Sequence, residues 1–218
     1  MLKRFVAALA VAFALAAPAA ADESIDLQLA ALAHSWDHAQ FEIQVHDAKL
    51  AELRRLDVQA QQIAQAHPGA AEPLVWQAIV LSSEAGVEGG LGALGMVGQA
   101  RDLLLRAERI NPNALGDGSI YTSLGSLYYQ VPGFPLGFGD RNRARDYLQR
   151  ALRMNPTGIE PNYFMADFLI RGSEYAQAGQ YLQRAQNAPV RPGREVADAG
   201  RRSDIAALLA QVRAHHPS

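Results

Sequence analysis

The chain has 218 residues, carries a formal net charge of −2 and contains no cysteine. This mildly acidic balance offers no basic face with which to neutralise phosphates, so we expect no nucleic acid partner. Without cysteine the chain can form no disulfide and perform no thiolate chemistry, so packing alone must hold the fold.

The first 21 residues have the pattern of a secretory signal peptide. A basic dipeptide, Lys3-Arg4, precedes an apolar run over residues 5–17, and a small-residue cleavage pattern ends at Ala21. The run is shorter than the ~20 residues that a membrane-spanning helix needs. We therefore expect residues 1–21 to be cleaved and residues 22–218 to form one periplasmic domain without a membrane span. An uncleaved N-terminal anchor is the alternative.

Apolar residues recur at three- and four-residue steps along the rest of the chain, which predicts helices and no sheet. We expect four helical hairpins followed by a C-terminal capping helix. The predicted hairpins cover residues 25–68, 72–112, 119–156 and 160–189, and the cap covers residues 195–214. Asn-Pro pairs close the second and third hairpins, because a proline cannot continue a helix.

Three of these helices share a spacing of small and large residues. Residues 100–112 read ARDLLLRAERINP, residues 144–156 read ARDYLQRALRMNP, and residues 178–189 read AGQYLQRAQNAP. Each begins with Ala, has Leu four positions on and has a second Ala seven positions on, and the last two begin 34 residues apart. Small residues at this spacing lie on one helix face and let a neighbouring helix approach, which is typical of helix–turn–helix solenoids.

The central stretch, residues 121–156, resembles one repeat of the tetratricopeptide repeat (TPR) family. The positions that carry the resemblance are Tyr121, Leu124, Gly125 and Tyr128 in the first helix, and Ala144, Leu148, Ala151 and Pro156 in the second. The resemblance extends more weakly over the rest of the mature chain, and residues 25–68 match only in outline. It implies an all-α, TPR-like helix–turn–helix solenoid with a capping helix.

The resemblance also implies a concave groove, lined by the first helices, that holds a protein or peptide. By register, the groove side chains are Ser83, Thr122, Ser126, Tyr129, Asp167, Ile170 and Arg171. The function it implies is that of a periplasmic adaptor or scaffold. A looser similarity to the TatT-like T component of tripartite ATP-independent periplasmic (TRAP) transporters gives an alternative, a ligand-binding accessory of a transport system.

Two stretches rich in glycine or proline depart from the TPR pattern. About ten residues are added between Leu81 and Ala100, and about seven between Tyr128 and Ala144. Both stretches fall between the two helices of a repeat, so we expect loops on one side of the solenoid. Their apolar residues either pack on each other or form a lip for a partner or a small apolar ligand; these are Leu91, Leu94, Phe134, Leu136 and Phe138.

Two short patterns raise the question of a metal or nucleotide site. His34 and His38 are one helical turn apart, as in some zinc sites, but a solvated polar helix face explains them better. Residues 90–95 spell GxGxxG, yet the preceding segment reads as a helix and not as the strand that the nucleotide motif requires. No catalytic motif stands out either, so we predict no metal, no cofactor and no enzymatic activity.

Overall fold

In a computed structural model of the chain, residues 24–215 are described, so the predicted signal peptide lies outside the described residues. Residues 24–215 form nine α-helices and no strand, which confirms the all-α fold class. The helices are α1 (Ile25–Phe41), α2 (His46–Ala66), α3 (Glu72–Glu88), α4 (Gly90–Ile110), α5 (Ser119–Gln130), α6 (Arg141–Met154), α7 (Ile159–Ile170), α8 (Tyr175–Gln186) and α9 (Glu195–His215). None of these helices is long and apolar enough to cross a membrane.

Local sequence signals explain several helix ends. The Asp140 carboxylate accepts hydrogen bonds from the backbone N–H groups of Asn142 (2.9 Å) and Arg143 (3.1 Å), and so caps the start of α6. At the other end, α4 and α6 both stop one residue before an Asn-Pro pair. The residue before a proline is held out of the helical region, which is why both helices end there.

The helices pack as four successive hairpins. In each pair α1–α2, α3–α4, α5–α6 and α7–α8, the second helix returns along the first, and neighbouring pairs stack on one another. The first helices also contact each other, since α1 touches α3, α3 touches α5 and α5 touches α7. They form an inner layer, as expected for a solenoid. The last helix, α9, packs on α7 and α8 and also reaches α1, which closes the two ends of the solenoid on each other.

The repeated alanines and leucines form the centre of these hairpins. All nine side chains are fully buried at 0% exposure: Ala100, Leu104, Ala107, Ala144, Leu148, Ala151, Ala178, Leu182 and Ala185. Gly125 on α5 lies directly against α6, because a Cβ atom at that position would be only 2.6 Å from the Leu148 Cγ. The close helix approach predicted from the small residues is therefore present.

The Gly-rich stretch after Leu81 is not the loop that the sequence predicts. Helix α3 runs on to Glu88 and α4 begins at Gly90, so the connection is the single residue Gly89, with φ at +67°. A glycine costs only about 1 kcal/mol inside a helix, whereas a proline blocks helix extension, and residues 81–100 contain no proline. By contrast, residues 131–140 contain Pro132 and Pro135 and do form a loop.

Candidate functional site

A pocket of about 950 Å³ lies on the inner side of the solenoid. Its walls come from the inner helices α1, α3, α5 and α7, from the first half of α4, and from residues of the connecting segments and α9. Within the described residues, α2, α6 and α8 contribute no lining side chain. The inner helices, which the TPR resemblance predicts to line a groove, thus form one part of the pocket, and α4, the connecting segments and α9 form the rest.

The segment before α9 closes the pocket on the side of α1. The Arg194 guanidinium donates two hydrogen bonds of 2.7 Å to the carboxylate of Asp37, which is only 1% exposed. It also lies 5.3 Å from the Trp76 ring and 5.9 Å from the Trp36 ring. Burial opposes the charge of Arg194, but the hydrogen bonds and charge of Asp37 outweigh it, so the pKa of Arg194 is raised. Arg194 therefore forms part of the pocket wall between α1 and α9.

Each of the four arginines that line the pocket is held by a carboxylate. The shortest contacts pair Arg171 with Asp167 (3.1 Å), Arg191 with Asp198 (2.6 Å), Arg194 with Asp37 (2.7 Å) and Arg201 with Glu160 (3.0 Å). Arg201 also lies 4.2 Å from the Tyr163 ring and is almost fully buried. The pairs of Arg191 and Arg194 are hydrogen-bonded and partly buried, so they hold these two guanidinium groups in place, whereas the half-exposed pair of Arg171 is weak.

Exposed and buried side chains both line the pocket. Leu91 and Leu136 both line the pocket while being 83% and 67% exposed, so they mark the entrance. Arg201 lines it at 8% exposure, so it marks the interior. Trp76, at 6% exposure, lies as deep as Arg201, and the Arg171 side chain, at 52% exposure, reaches solvent, so apolar and charged groups occur at both levels.

Of the predicted groove residues, Ser83, Thr122, Ser126, Asp167 and Arg171 line the pocket. Tyr129 and Ile170 do not. Tyr129 packs between α5 and α7, where its ring lies 5.7 Å from that of Phe168 and its hydroxyl donates to Asp167 at 2.7 Å. Burial, followed by the charge of Asp167, holds the pKa of Tyr129 well above its ordinary value. Ile170 is 6% exposed within the core, because α7 turns that face towards neighbouring helices.

The predicted lip residues divide into two groups. Leu91, Leu94 and Leu136 line the pocket. Phe134 is 94% exposed but lies outside the lining. Phe138 packs edge-on against Tyr128 at 5.3 Å and beneath the Arg101 guanidinium at 4.5 Å, so it belongs to the packed surface between hairpins. Phe138 thus packs on helix side chains and not on the other stretch, and a role of Leu91, Leu94 and Leu136 in contacting a partner or ligand stays a prediction.

Sequence reasoning missed the two tryptophans of α1 and α3 and the arginines of α9 and of the segment before it. Trp36, Trp76, Arg191, Arg194 and Arg201 line the pocket, yet the sequence placed the C-terminal segment only as a cap. A signal was present in α9, where Asp198 and Arg201 fall on the same helical stripe as the fully buried Ile205. Charged residues on a buried stripe indicate paired charges inside the fold.

The histidines of the N-terminal region are engaged separately. His38 bonds Glu42 at 2.6 Å, and His46 contacts Asp47 at 3.0 Å and the Val87 carbonyl at 3.1 Å. Over residues 24–215 no group of three or more His, Cys, Asp or Glu side chains is arranged to hold a metal ion. The GxGxxG stretch lies inside α4 and follows a helix.

No protein-family model matches this chain, and no curated protein matches it. Among solved structures, the crystal structure of TTC0263, a thermophilic TPR protein of Thermus thermophilus, is similar with a TM-score of 0.45 and 15% identity. The match covers 86% of this chain and 100% of that one. A structure of PilF from Pseudomonas aeruginosa gives a TM-score of 0.35 and 17% identity, over 89% of this chain and 94% of that one. Both similarities are distant, so the fold assignment rests on the helices and contacts described above.

Proposed function

We propose that this chain is a non-catalytic binding protein that holds an extended segment of another protein, or a free peptide, in its central pocket. The observation that carries the proposal is the pocket itself, enclosed by the inner helices and closed by the contact of Arg194 with Asp37. In this role the chain acts as an adaptor: it recognises a partner and performs no chemistry on it.

The distribution of groups in the pocket suits a peptide. An extended chain needs partners for its backbone N–H and C=O groups, and its side chains need apolar surface. The interior supplies the hydroxyls of Ser119 and Ser123, which make no side-chain hydrogen bond within residues 24–215, together with the guanidinium groups. The mouth supplies Leu91 and Leu136.

Site-specific photo-crosslinking tests the proposal. A photoreactive amino acid replaces Ser126, which lines the pocket, or Gln149, which lies exposed on α6 outside it. We expect the probe at position 126 to crosslink a defined partner in cells and the probe at position 149 not to do so. A Ser126→Trp variant should abolish capture by filling the pocket, while Gln149→Trp should retain it. Equal crosslinking from both positions contradicts the proposal.

A second candidate is a small apolar ligand, as in a transport accessory. The observation that favours it is the volume of the pocket, since small-molecule sites typically measure about 300–1,000 Å³. Native mass spectrometry of the purified chain would then show a bound small molecule. Replacing Leu91 and Leu136 together by serine would release it, while Phe134→Ser would not, because Phe134 lies outside the pocket lining.

We also propose that the protein acts in the periplasm after removal of residues 1–21. The support is the basic start, apolar run and small-residue cleavage pattern of the sequence. N-terminal sequencing of the protein recovered from a periplasmic fraction should begin at Asp22. Recovery of the intact N-terminus from the membrane fraction would favour the anchor instead.

A further inference from the structure

The central pocket continues into a small recess. The recess has a volume of about 100 Å³ and shares five lining residues with the pocket, which are Asp117, Ser119, Thr122, Glu160 and Arg191. Its volume corresponds to about three water molecules at ~30 Å³ each. The recess therefore admits a small polar group at the end of a ligand, and excludes a bulky side chain.

Asp117 is the acidic residue of the pocket that forms no direct ion pair in the described part of the chain, although its charge helps to raise the pKa of the nearby Arg194. The other lining carboxylates are neutralised, because Glu160 pairs with Arg201 and Arg191, and Asp167 pairs with Arg171. One carboxylate oxygen of Asp117 accepts from the Ser119 backbone N–H at 2.9 Å, and the other accepts no hydrogen bond within residues 24–215. This second oxygen is open to a hydrogen-bond donor in the pocket, and a cationic donor makes the strongest contact with a carboxylate.

The neighbouring arginines supply donors beside that carboxylate. Arg194 uses Nε and Nη2 on Asp37, and Arg191 uses Nε and Nη2 on Asp198 and Glu160. The remaining Nη1 group of each makes no hydrogen bond within residues 24–215. The interior thus combines one carboxylate for a cation with guanidinium N–H groups for an adjacent carbonyl oxygen.

We propose that the pocket captures the free N-terminus of a peptide. The α-ammonium group enters the recess beside Asp117, the first carbonyl oxygens accept from Arg191 and Arg194, and the apolar side chains extend towards Leu91 and Leu136. This inference rests on the proposed peptide-binding function and specifies which end of the peptide is recognised.

Affinity selection with a mixed peptide library tests the inference. The purified full-length chain is offered a pool of pentapeptide amides of mixed sequence, half with a free N-terminus and half N-acetylated, and the retained peptides are identified by mass spectrometry. We expect free N-termini to be enriched at least about tenfold, since loss of a charge-assisted hydrogen bond has an effect of this order. An n-octylamine probe, with n-octanol as its neutral match, tests whether an ammonium on a plain alkyl chain suffices.

Two variants test whether Asp117 causes the preference for free N-termini. In Asp117→Asn the side-chain oxygen can still accept from the Ser119 N–H, so the local hydrogen bond is kept while the charge is lost. We expect this variant to lose the preference for free N-termini, and Asp146→Asn, an exposed acid on α6, to keep it. Circular dichroism verifies that both are folded. If Asp117→Asn does not fold, the comparison of free and acetylated peptides on the unchanged chain still tests whether the free N-terminus is recognised.

The possible outcomes separate this inference from the proposed function. Equal retention of both peptide forms overturns N-terminal recognition and leaves peptide binding intact. Retention of n-octylamine without any peptide supports the ammonium site and assigns it to a small-molecule ligand, which overturns the peptide part of the inference. No retention of any probe overturns the inference and counts against peptide binding as a whole.

Discussion

The α3–α4 and α5–α6 hairpins carry extra residues at the same position, yet the extra residues adopt different structures. In the first hairpin they lengthen both helices, which meet at the single connecting residue Gly89. In the second they form the loop over residues 131–140, whose base is held by a hydrogen bond from the Asp140 N–H to the Tyr128 carbonyl at 2.8 Å. Prolines 132 and 135 account for the difference, because proline lacks the N–H that a helix needs.

Glycine and proline therefore have different effects on the helices of this solenoid. Glycine lowers helix stability by about 1 kcal/mol, which the packing of a long hairpin can offset. Both insertions nevertheless serve the same site, because Leu91 and Leu94 on α4 and Leu136 on the loop all line the pocket. The position of an insertion in the repeat therefore matters more for the site than its secondary structure.

The largest expected loss of stability follows from replacing the buried leucine that the two hairpins have in common. Leu104 on α4 and Leu148 on α6 hold equivalent repeat positions and are both fully buried. Replacing either with alanine should lower the free energy of unfolding by about 2–5 kcal/mol, through lost burial and the cavity left behind. Urea denaturation measures both variants. A small loss at Leu104 alone would show that the hairpins are not equivalent in their cores.

The next largest loss of stability is expected at Gly125 in α5, and it distinguishes this glycine from those of α4. At Gly125 a Cβ would lie 2.6 Å from Leu148 Cγ and 3.2 Å from the Leu148 backbone nitrogen, and the fully buried Leu148 has no space to move into. Gly125→Ala should therefore lower the free energy of unfolding by about 1–3 kcal/mol, despite the higher helix propensity of alanine. Thermal unfolding followed by circular dichroism measures this change, and an unchanged midpoint would contradict the close helix contact.

In α4, replacing a glycine by alanine is expected to raise the free energy of unfolding. Gly95 is exposed within the helix, and a Cβ added there would have no other atom within 4 Å. Gly95→Ala should raise the free energy of unfolding by about 0.5–1 kcal/mol, because alanine loses less backbone entropy on helix formation. Urea denaturation beside Gly125→Ala measures the difference. A destabilised Gly95→Ala variant would indicate that residues 90–98 do not form a stable part of the helix.

The smallest effect on stability falls on the pocket mouth. Leu91→Ser with Leu136→Ser should leave the free energy of unfolding within about 0.5 kcal/mol of the original, since both side chains are largely exposed. The same pair of changes should weaken binding of the captured partner, as measured by crosslinking yield at position 126. Phe134→Ser serves as the control, because it removes an exposed apolar residue outside the pocket lining. Equal loss of binding in the control would extend the site to the loop tip.

Part of the candidate site follows from helix register alone. Ser126 and Asp167 were predicted to line the inner face and do so, because their positions depend only on which helix of each hairpin lies inside. Tyr129 and Ile170 differ because their orientation depends on how closely α5 and α7 approach each other. Helical spacing locates the border of a helix face only to within one residue. For side chains at that border, the packing of neighbouring helices decides which way they point.

By itself, the sequence determined the helical hairpins and their order. The alanine–leucine–alanine spacing fixes which faces approach, and the prolines fix where helices stop, since both act through local geometry. Only the tertiary structure decided that α9 returns to α1 and closes the pocket. The decisive contact joins Arg194 to Asp37 across 157 residues, and no local spacing encodes a pairing of that length. It depends on the accumulated rotation of the stacked hairpins, which brings the two ends of the chain together.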